Sequence, residues 1–368
     1  MELVVRKSDL LKELSLLQGI VERKNTIPIL ANVLLEAVKG SVSLLATDLD
    51  VGLRSRCEAN VSKPGTLTLP AKKLFEIINA LSETEVRISE DKGGKSVTVA
   101  AERFESRIQT LPASEFPTPP QDGGATEALL PGAALKKMIS HTRFAITSED
   151  TRYFLNGAQL VLQPDSMSMV ATDGHRLAFI QVHQPPGLKE KSEVLLPRKT
   201  LNEVARLIDG GSAVEFSQGE NHLFFRAEGR LLISRKIDAN FPAYERVIPK
   251  LNDKQIEFDR DRLAAAVRRV RLLSNERSKA VKFVISKDQV EITSSTPEVG
   301  EAHEVLPVDY NGAAMQICFN ADYVDNFLGV VETESVKLEF KDEMSQAVMK
   351  PIGADGYEYT YVIMPMRI

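Results

Sequence analysis

No stretch of this 368-residue chain approaches the roughly 20 apolar residues that a membrane span needs. The opening residues, Met1 to Ser8, lack the basic region, apolar core and small-residue cleavage site of a secretory leader. These absences point to a cytoplasmic protein with no membrane partner. Cysteine is scarce too. Cys57 and Cys318 lie far apart and neither belongs to a C-x-x-C pair, which argues against a zinc site or a disulfide framework. The five histidines, His141, His175, His183, His222 and His303, lack metal-ligand spacing, so neither metal nor cofactor is expected. There is no G-x-G-x-x-G, Walker loop, G-x-S-x-G or H-E-x-x-H motif. Positive charge is not in excess either: the formal net charge is -5, which taken whole speaks mildly against nucleic-acid binding.

What the chain has is a repeat of long period. Pro28-Ile29-Leu30-Ala31-Asn32 leads to Ala46-Thr47-Asp48, and Tyr153-Phe154-Leu155-Asn156-Gly157 leads likewise to Ala171-Thr172-Asp173. Asn32 to Asn156 is 124 positions and Asp48 to Asp173 is 125. A proline then precedes a helical segment in both copies, at Leu69-Pro70-Ala71-Lys72-Lys73 and Leu196-Pro197-Arg198-Lys199. In a third copy Asn320 stands there as a side-chain cap. The copies close on Phe116-Pro117, Phe241-Pro242 and Met364-Pro365.

Segments rich in proline and glycine (116–124) and the stretch 248–254 mark the joins. They divide the chain into units 1–120, 126–248 and 250–368, each of ordinary domain size. Leu135, Met138, Ile139 and Thr142, and Leu263, Ala266, Val267 and Val270, recur at helical spacing. Val97 to Ala100 and Leu223 to Ala227 read as strands. Two helices and blocks of strands per unit indicate an α+β fold with antiparallel sheets.

The helical segments are more basic than the chain as a whole: Lys72 and Lys73; Lys136, Lys137 and Arg143; Arg198, Lys199 and Arg206; Arg262, Arg268, Arg269 and Arg271. Such faces suit duplex phosphates held without sequence readout, and they are also what an ordinary solvated helix presents. If two chains closed into a dimeric ring, twelve helices packed about 10 Å apart would enclose a hole about 40 Å across, wide enough for a duplex.

Several segments together resemble one family. Arg152 to Gly157, Ala171 to Leu177, Leu273-Ser274-Asn275-Glu276 and the terminal Met364-Pro365-Met366-Arg367 are similar to the bacterial sliding clamps, the beta subunits of DNA polymerase III. The resemblance runs the full length. It implies a non-catalytic homodimer around double-stranded DNA, with the polymerase III alpha subunit, the clamp loader complex, and repair and translesion polymerases as partners. It implies a partner-peptide pocket at Leu155, Thr172, Gly174, His175, Arg176, Leu177, Pro242, Arg246, Val247, Val362, Met364, Pro365, Met366 and Arg367, with Arg176, Arg246 and Arg367 offering hydrogen bonds at its rim. DNA-contacting positions map to Lys24, Lys72, Glu149, Tyr153 and Phe154. Glu149 departs from the familiar neutral polar residue, and Phe154 from a tyrosine. The ring joint maps to Ile108, Leu272 and Leu273.

Two rival readings stand beside this one. Asp173-Gly174-His175-Arg176 could pair an acid with a base for catalysis, or it could be a tight turn. The repeats could also form a scaffold that binds only proteins.

Overall fold

The structure, a computed structural model, describes residues 1–21, 26–123, 126–147, 149–208 and 210–367. Lys24 therefore lies outside the described residues.

Six α-helices occur among these residues: α1 (Lys7–Leu17), α2 (Ala71–Ala80), α3 (Gly132–Thr142), α4 (Arg198–Leu207), α5 (Arg260–Val270) and α6 (Ala321–Leu328). Local chemistry sets where they start. Pro70 and Pro197 end a strand immediately before α2 and α4, where a missing N–H costs nothing. Asp259 accepts from the backbone N–H of Arg262 to cap α5, and Asn320 accepts from that of Asp322 to cap α6. The apolar stripe then turns inward: α5 buries Leu263, Ala266, Val267 and Val270, and α2 buries Leu74 and Ile78.

The strands form four antiparallel sheets. One eight-stranded sheet runs in the order Ala128–Leu130, Val214–Gln218, His222–Ala227, Arg230–Arg235, Val51–Glu58, Ser41–Thr47, Asn32–Val38, Gly65–Pro70. The other runs Ser192–Pro197, Gly157–Leu162, Met167–Thr172, Arg176–Val182, Tyr357–Ile363, Ala347–Ile352, Ser335–Phe340, Lys254–Asp259. Each is a composite of two repeats. The last strand of the second repeat pairs with Val51–Glu58 of the first, with Leu232 opposite Leu53. The last strand of the third pairs with Arg176–Val182 of the second, with Leu177 opposite Val362.

Three sequence repeats consequently condense into two compact units. One comprises 1–136 with 199–236, the other 137–198 with 237–368. The middle repeat is divided because its two outer strands are hydrogen-bonded to different neighbours. The five-stranded sheet ends on the unpaired edge Phe104–Gln109, and the four-stranded sheet ends on Gly300–Pro307.

In the second unit the buried His141 carries a testable electrostatic consequence. Its ring packs edge-on to Tyr357 and Tyr359, and Nδ1 lies 2.9 Å from the Lys137 carbonyl. Burial, opposed by that hydrogen bond, pushes its pKa down from 6.5 to about 4. Below pH 6.5 the unfolded chain takes up a proton that the folded chain refuses. Stability attached to this residue is therefore full above pH 6.5 and lost as pH falls to about 4, in total about 3 kcal/mol. Urea unfolding of His141→Gln and the parent at pH 7 and pH 4.5 should show a shallower pH dependence in the variant. Parallel curves would refute it.

Candidate functional site

A groove in the second unit is built where two turns meet. Thr172 and Leu177 face each other across the hairpin that joins Met167–Thr172 to Arg176–Val182. Asp173 Oδ1 accepts from the backbone N–H of His175 (2.9 Å) and of Arg176 (3.1 Å), while Thr172 Oγ1 donates to the Arg176 carbonyl at 2.6 Å. Gly174 has φ +88°, and a Cβ there would stand 2.8 Å from an Arg152 guanidinium nitrogen, so glycine suits this position, although Leu49 takes φ +82° at the matching place in the first repeat. Asp48 makes the same turn in the first repeat, accepting from Asp50 and Val51. The acid beside His175 is thus engaged in shaping a turn that recurs without any histidine, which answers the catalytic reading.

The chain end returns to this turn. The Met364 N–H donates to the His175 carbonyl at 2.9 Å. Strand pairing sets Val362 against both Leu177 and Val348. These three with Val170, each 1% exposed, form the floor. Phe179, Phe241, Tyr244 and Ile248 pack against it half-buried, and the Phe179 and Tyr244 rings stack at 5.6 Å. Burial, with Glu245 and Glu193 nearby, pushes the Tyr244 hydroxyl pKa up to about 12, so it stays a neutral donor. Val247 (40%) and Met364 (37%) are the exposed apolar groups, with Pro242, Arg246 and Arg367 also open to solvent. Leu155 is buried; its neighbour Arg152 donates to the Asp173 carbonyl at 3.2 Å. Met366 is anchored through its N–H to the Cys318 carbonyl, with Pro365 half-buried beside it.

One expectation is corrected. Arg176 is not a rim donor: its side chain is 9% exposed. Nε donates to Asp173 (3.0 Å), one terminal nitrogen to Asn326 (2.7 Å) and the other to the Phe144 carbonyl, and the guanidinium lies over the Tyr323 ring at 4.2 Å. A planar fork can satisfy this many partners, and here they all face inward. Burial opposes its charge, but Tyr361 and Asp173 outweigh it and raise the pKa above the ordinary guanidinium value.

The basic helical faces are also less free than their count suggests. Lys73 pairs with Glu76, Lys137 with Glu332, Lys199 with Asp48, and Arg206 with Glu203. On α5, Arg268 reaches Asp325 and Arg269 turns to Glu304, and Arg271, just past its end, reaches Asp322. These acids, distant in sequence or a turn away, offset much of the positive charge of those faces. Arg262 is exposed and makes no ion pair among the described residues, and Lys72, 72% exposed, sits a loose 3.9 Å from Glu76. Tyr153 is 59% exposed, with Phe154 edge-on to it at 5.9 Å. Glu149 lies 3.5 Å from Arg152, which offsets its charge. Lys72 belongs to the first compact unit, and Glu149, Tyr153 and Phe154 to the second.

On the unpaired edge strand Ile108 is half-buried, while Leu272 is 75% exposed with Leu273 half-buried next to it. Sequence reasoning missed Phe104, an exposed aromatic two pleats from Ile108 on the same face of that strand. It also missed Phe179, Phe241, Tyr244 and Ile248 in the groove. Phe179 could have been found by alternation, because it shares a strand face with Leu177.

Comparison with known proteins agrees along the whole chain. Models of the N-terminal, central and C-terminal domains of the DNA polymerase III beta subunit match residues 1–120, 129–243 and 245–367. The beta sliding clamp of Pseudomonas putida is 36% identical, and that of Escherichia coli K12 is 35% identical, each over 100% of both chains. The crystal structure of the DNA polymerase III subunit beta from Pseudomonas aeruginosa superposes with a TM-score of 0.92 at 34% identity, covering 100% of both chains. A second structure of the Pseudomonas aeruginosa clamp, bound to griselimycin, matches with a TM-score of 0.92 at 35% identity and the same coverage. The chain thus belongs to the DNA polymerase III beta-subunit family, the sliding clamps, and is a non-catalytic processivity factor of DNA replication.

Proposed function

We propose that two copies of this chain close head to tail into a ring around duplex DNA in the cytoplasm, each contributing three clamp units, 1–120, 126–248 and 250–368. The repetition of one strand join carries this reading. In both composite sheets, the last strand of one repeat pairs with the strand that follows the Thr-Asp turn of the repeat before it. Applied once more, the rule pairs Phe104–Gln109 with Gly300–Pro307, and in a single chain both are sheet edges. A second copy supplies each of these two edges with its partner. Ile108, Leu272 and Leu273 then lie at the joint, to which Phe104 adds an aromatic contact.

Hold on DNA is topological in this reading and independent of sequence. Lys24, Lys72, Tyr153 and Phe154 touch the duplex, and Glu149, paired with Arg152, contributes little repulsion. The groove floored by Leu177 and Val362 takes short peptides of the polymerase III alpha subunit, the clamp loader, and repair and translesion polymerases. Its apolar walls and exposed methionine suit varied partners.

The decisive measurements are mass and retention. Equilibrium sedimentation should give twice the 40.7 kDa of one chain, and protein loaded onto a closed DNA circle should be lost when the circle is cut. A monomer, or equal retention on circular and linear DNA, overturns the ring.

A further inference from the structure

Beside the groove lies a second cleft, of about 560 Å³, between the segment Glu245 to Asn252 and the turn Lys341 to Gln346. Its walls are fixed to one another. The Asn252 side-chain amide donates to the carbonyls of Glu339 (3.1 Å) and Gln346 (3.2 Å), and Lys254 Nζ to that of Lys341 (2.9 Å). Asp342 holds the turn by accepting from Met344 and Ser345.

Two properties distinguish the cleft. First, it is continuous with the groove: Ile248 packs against the groove's apolar floor and also lines the cleft, as does Arg246 from the groove's rim. Second, its surface is both apolar and electropositive. Leu251 is 76% exposed and Met344, on the opposing turn, 52%. Arg246, Lys250 and Lys341 border it, and none of the three makes an ion pair among the described residues, whereas the lysines and arginines of the helices mostly do. Glu245 is the one acid in the lining, and Asp253 and Asp342 offset part of the charge of Lys341, so the lining keeps a positive excess. An exposed leucine beside such an excess is poor solvent surface and good docking surface.

We infer that this cleft receives the segment flanking a partner's groove-binding peptide, and that the flank it selects carries an apolar side chain among acidic ones. The apolar group covers Leu251, and the carboxylates meet Lys250, Lys341 and Arg246. Continuity with the groove makes the two contacts one bivalent engagement. A flank that is already tethered binds at high effective concentration, so a modest second contact yields a large gain in affinity. Partners that share the same short groove peptide would then be ranked by their flanks. The inference rests on the groove reading above, and the test separates the two.

The probes are fluorescein-labelled peptides: a short core of large apolar residues, chosen to match the apolar floor of the groove, and the same core extended by Asp-Leu-Asp-Glu at either its N or its C terminus. Anisotropy titrations use the intact protein and the variants Leu251→Asp and Lys250→Glu/Lys341→Glu, whose substitutions lie outside the proposed groove. One extended peptide should bind the parent about tenfold tighter than the core, and both variants should erase that gain while leaving core affinity unchanged. Failure of the core itself to bind would overturn the groove reading, and this inference with it. A core that binds without any gain from either extension, or a gain that survives in both variants, would overturn the inference alone. Displacement of the extension by a duplex oligonucleotide, lost in Lys250→Glu/Lys341→Glu, would assign the cleft to DNA and equally overturn it.

Discussion

Replacing Arg176 with alanine should destabilise the second unit by about 3–5 kcal/mol and abolish peptide binding at the groove. The substitution leaves Asp173, 14% exposed, without its ion-pair partner, and strips the Asn326 side chain and the Phe144 carbonyl of their donors. Because Asp173 also accepts the two N–H groups that shape the His175 turn, loss of its partner loosens the wall of the groove. Arg176→Lys keeps the charge but not the fork, and should recover only part of the stability. Urea unfolding followed alongside peptide anisotropy checks both effects. A variant within 1 kcal/mol of the parent, or one that still binds the core peptide normally, would show that the guanidinium is dispensable to the groove.

A comparable loss is expected in the first unit from Arg230→Ala. The guanidinium of Arg230, on the last strand of the second repeat, grips Glu13 of α1 at 2.8 and 2.7 Å, and Glu228 at 3.0 Å. Both members of the main pair are nearly sealed from water, with Arg230 6% and Glu13 7% exposed. Breaking such a pair strands a buried carboxylate and costs about 3–5 kcal/mol, whereas removing both partners costs much less. Arg230→Ala should therefore unfold at clearly lower urea than Arg230→Met/Glu13→Leu. If the single variant were no worse than the double, the pair would not be holding the first repeat to the second.

Much of the local architecture was legible in the residues. The proline and asparagine starts of α2, α4 and α6, the apolar stripe of α5 and the turn at Asp173-Gly174 each follow from interactions between residues a few positions apart, and such interactions are what a linear pattern records. The 125-position recurrence disclosed the repeats because each unit solves the same packing problem with the same anchors. Charge was the least legible property. Arg268, Arg269 and Arg271 read as a basic face, yet their partners Asp325, Glu304 and Asp322 lie 35 to 57 positions away in sequence. Nothing in the spacing of arginines tells which acid will fold against them.

The sequence by itself thus determined the repeat, several of its helix starts and strand segments, and its family. Tertiary structure alone decided how the middle repeat is shared between two compact bodies, because strand pairing joins hydrogen-bonding edges that are remote along the chain. It also decided that Arg176 faces inward rather than outward, and which cations beside the groove make no ion pair among the described residues. Backbone propensity acts over a few residues, but the pairing of charges and sheet edges is settled only when distant segments meet.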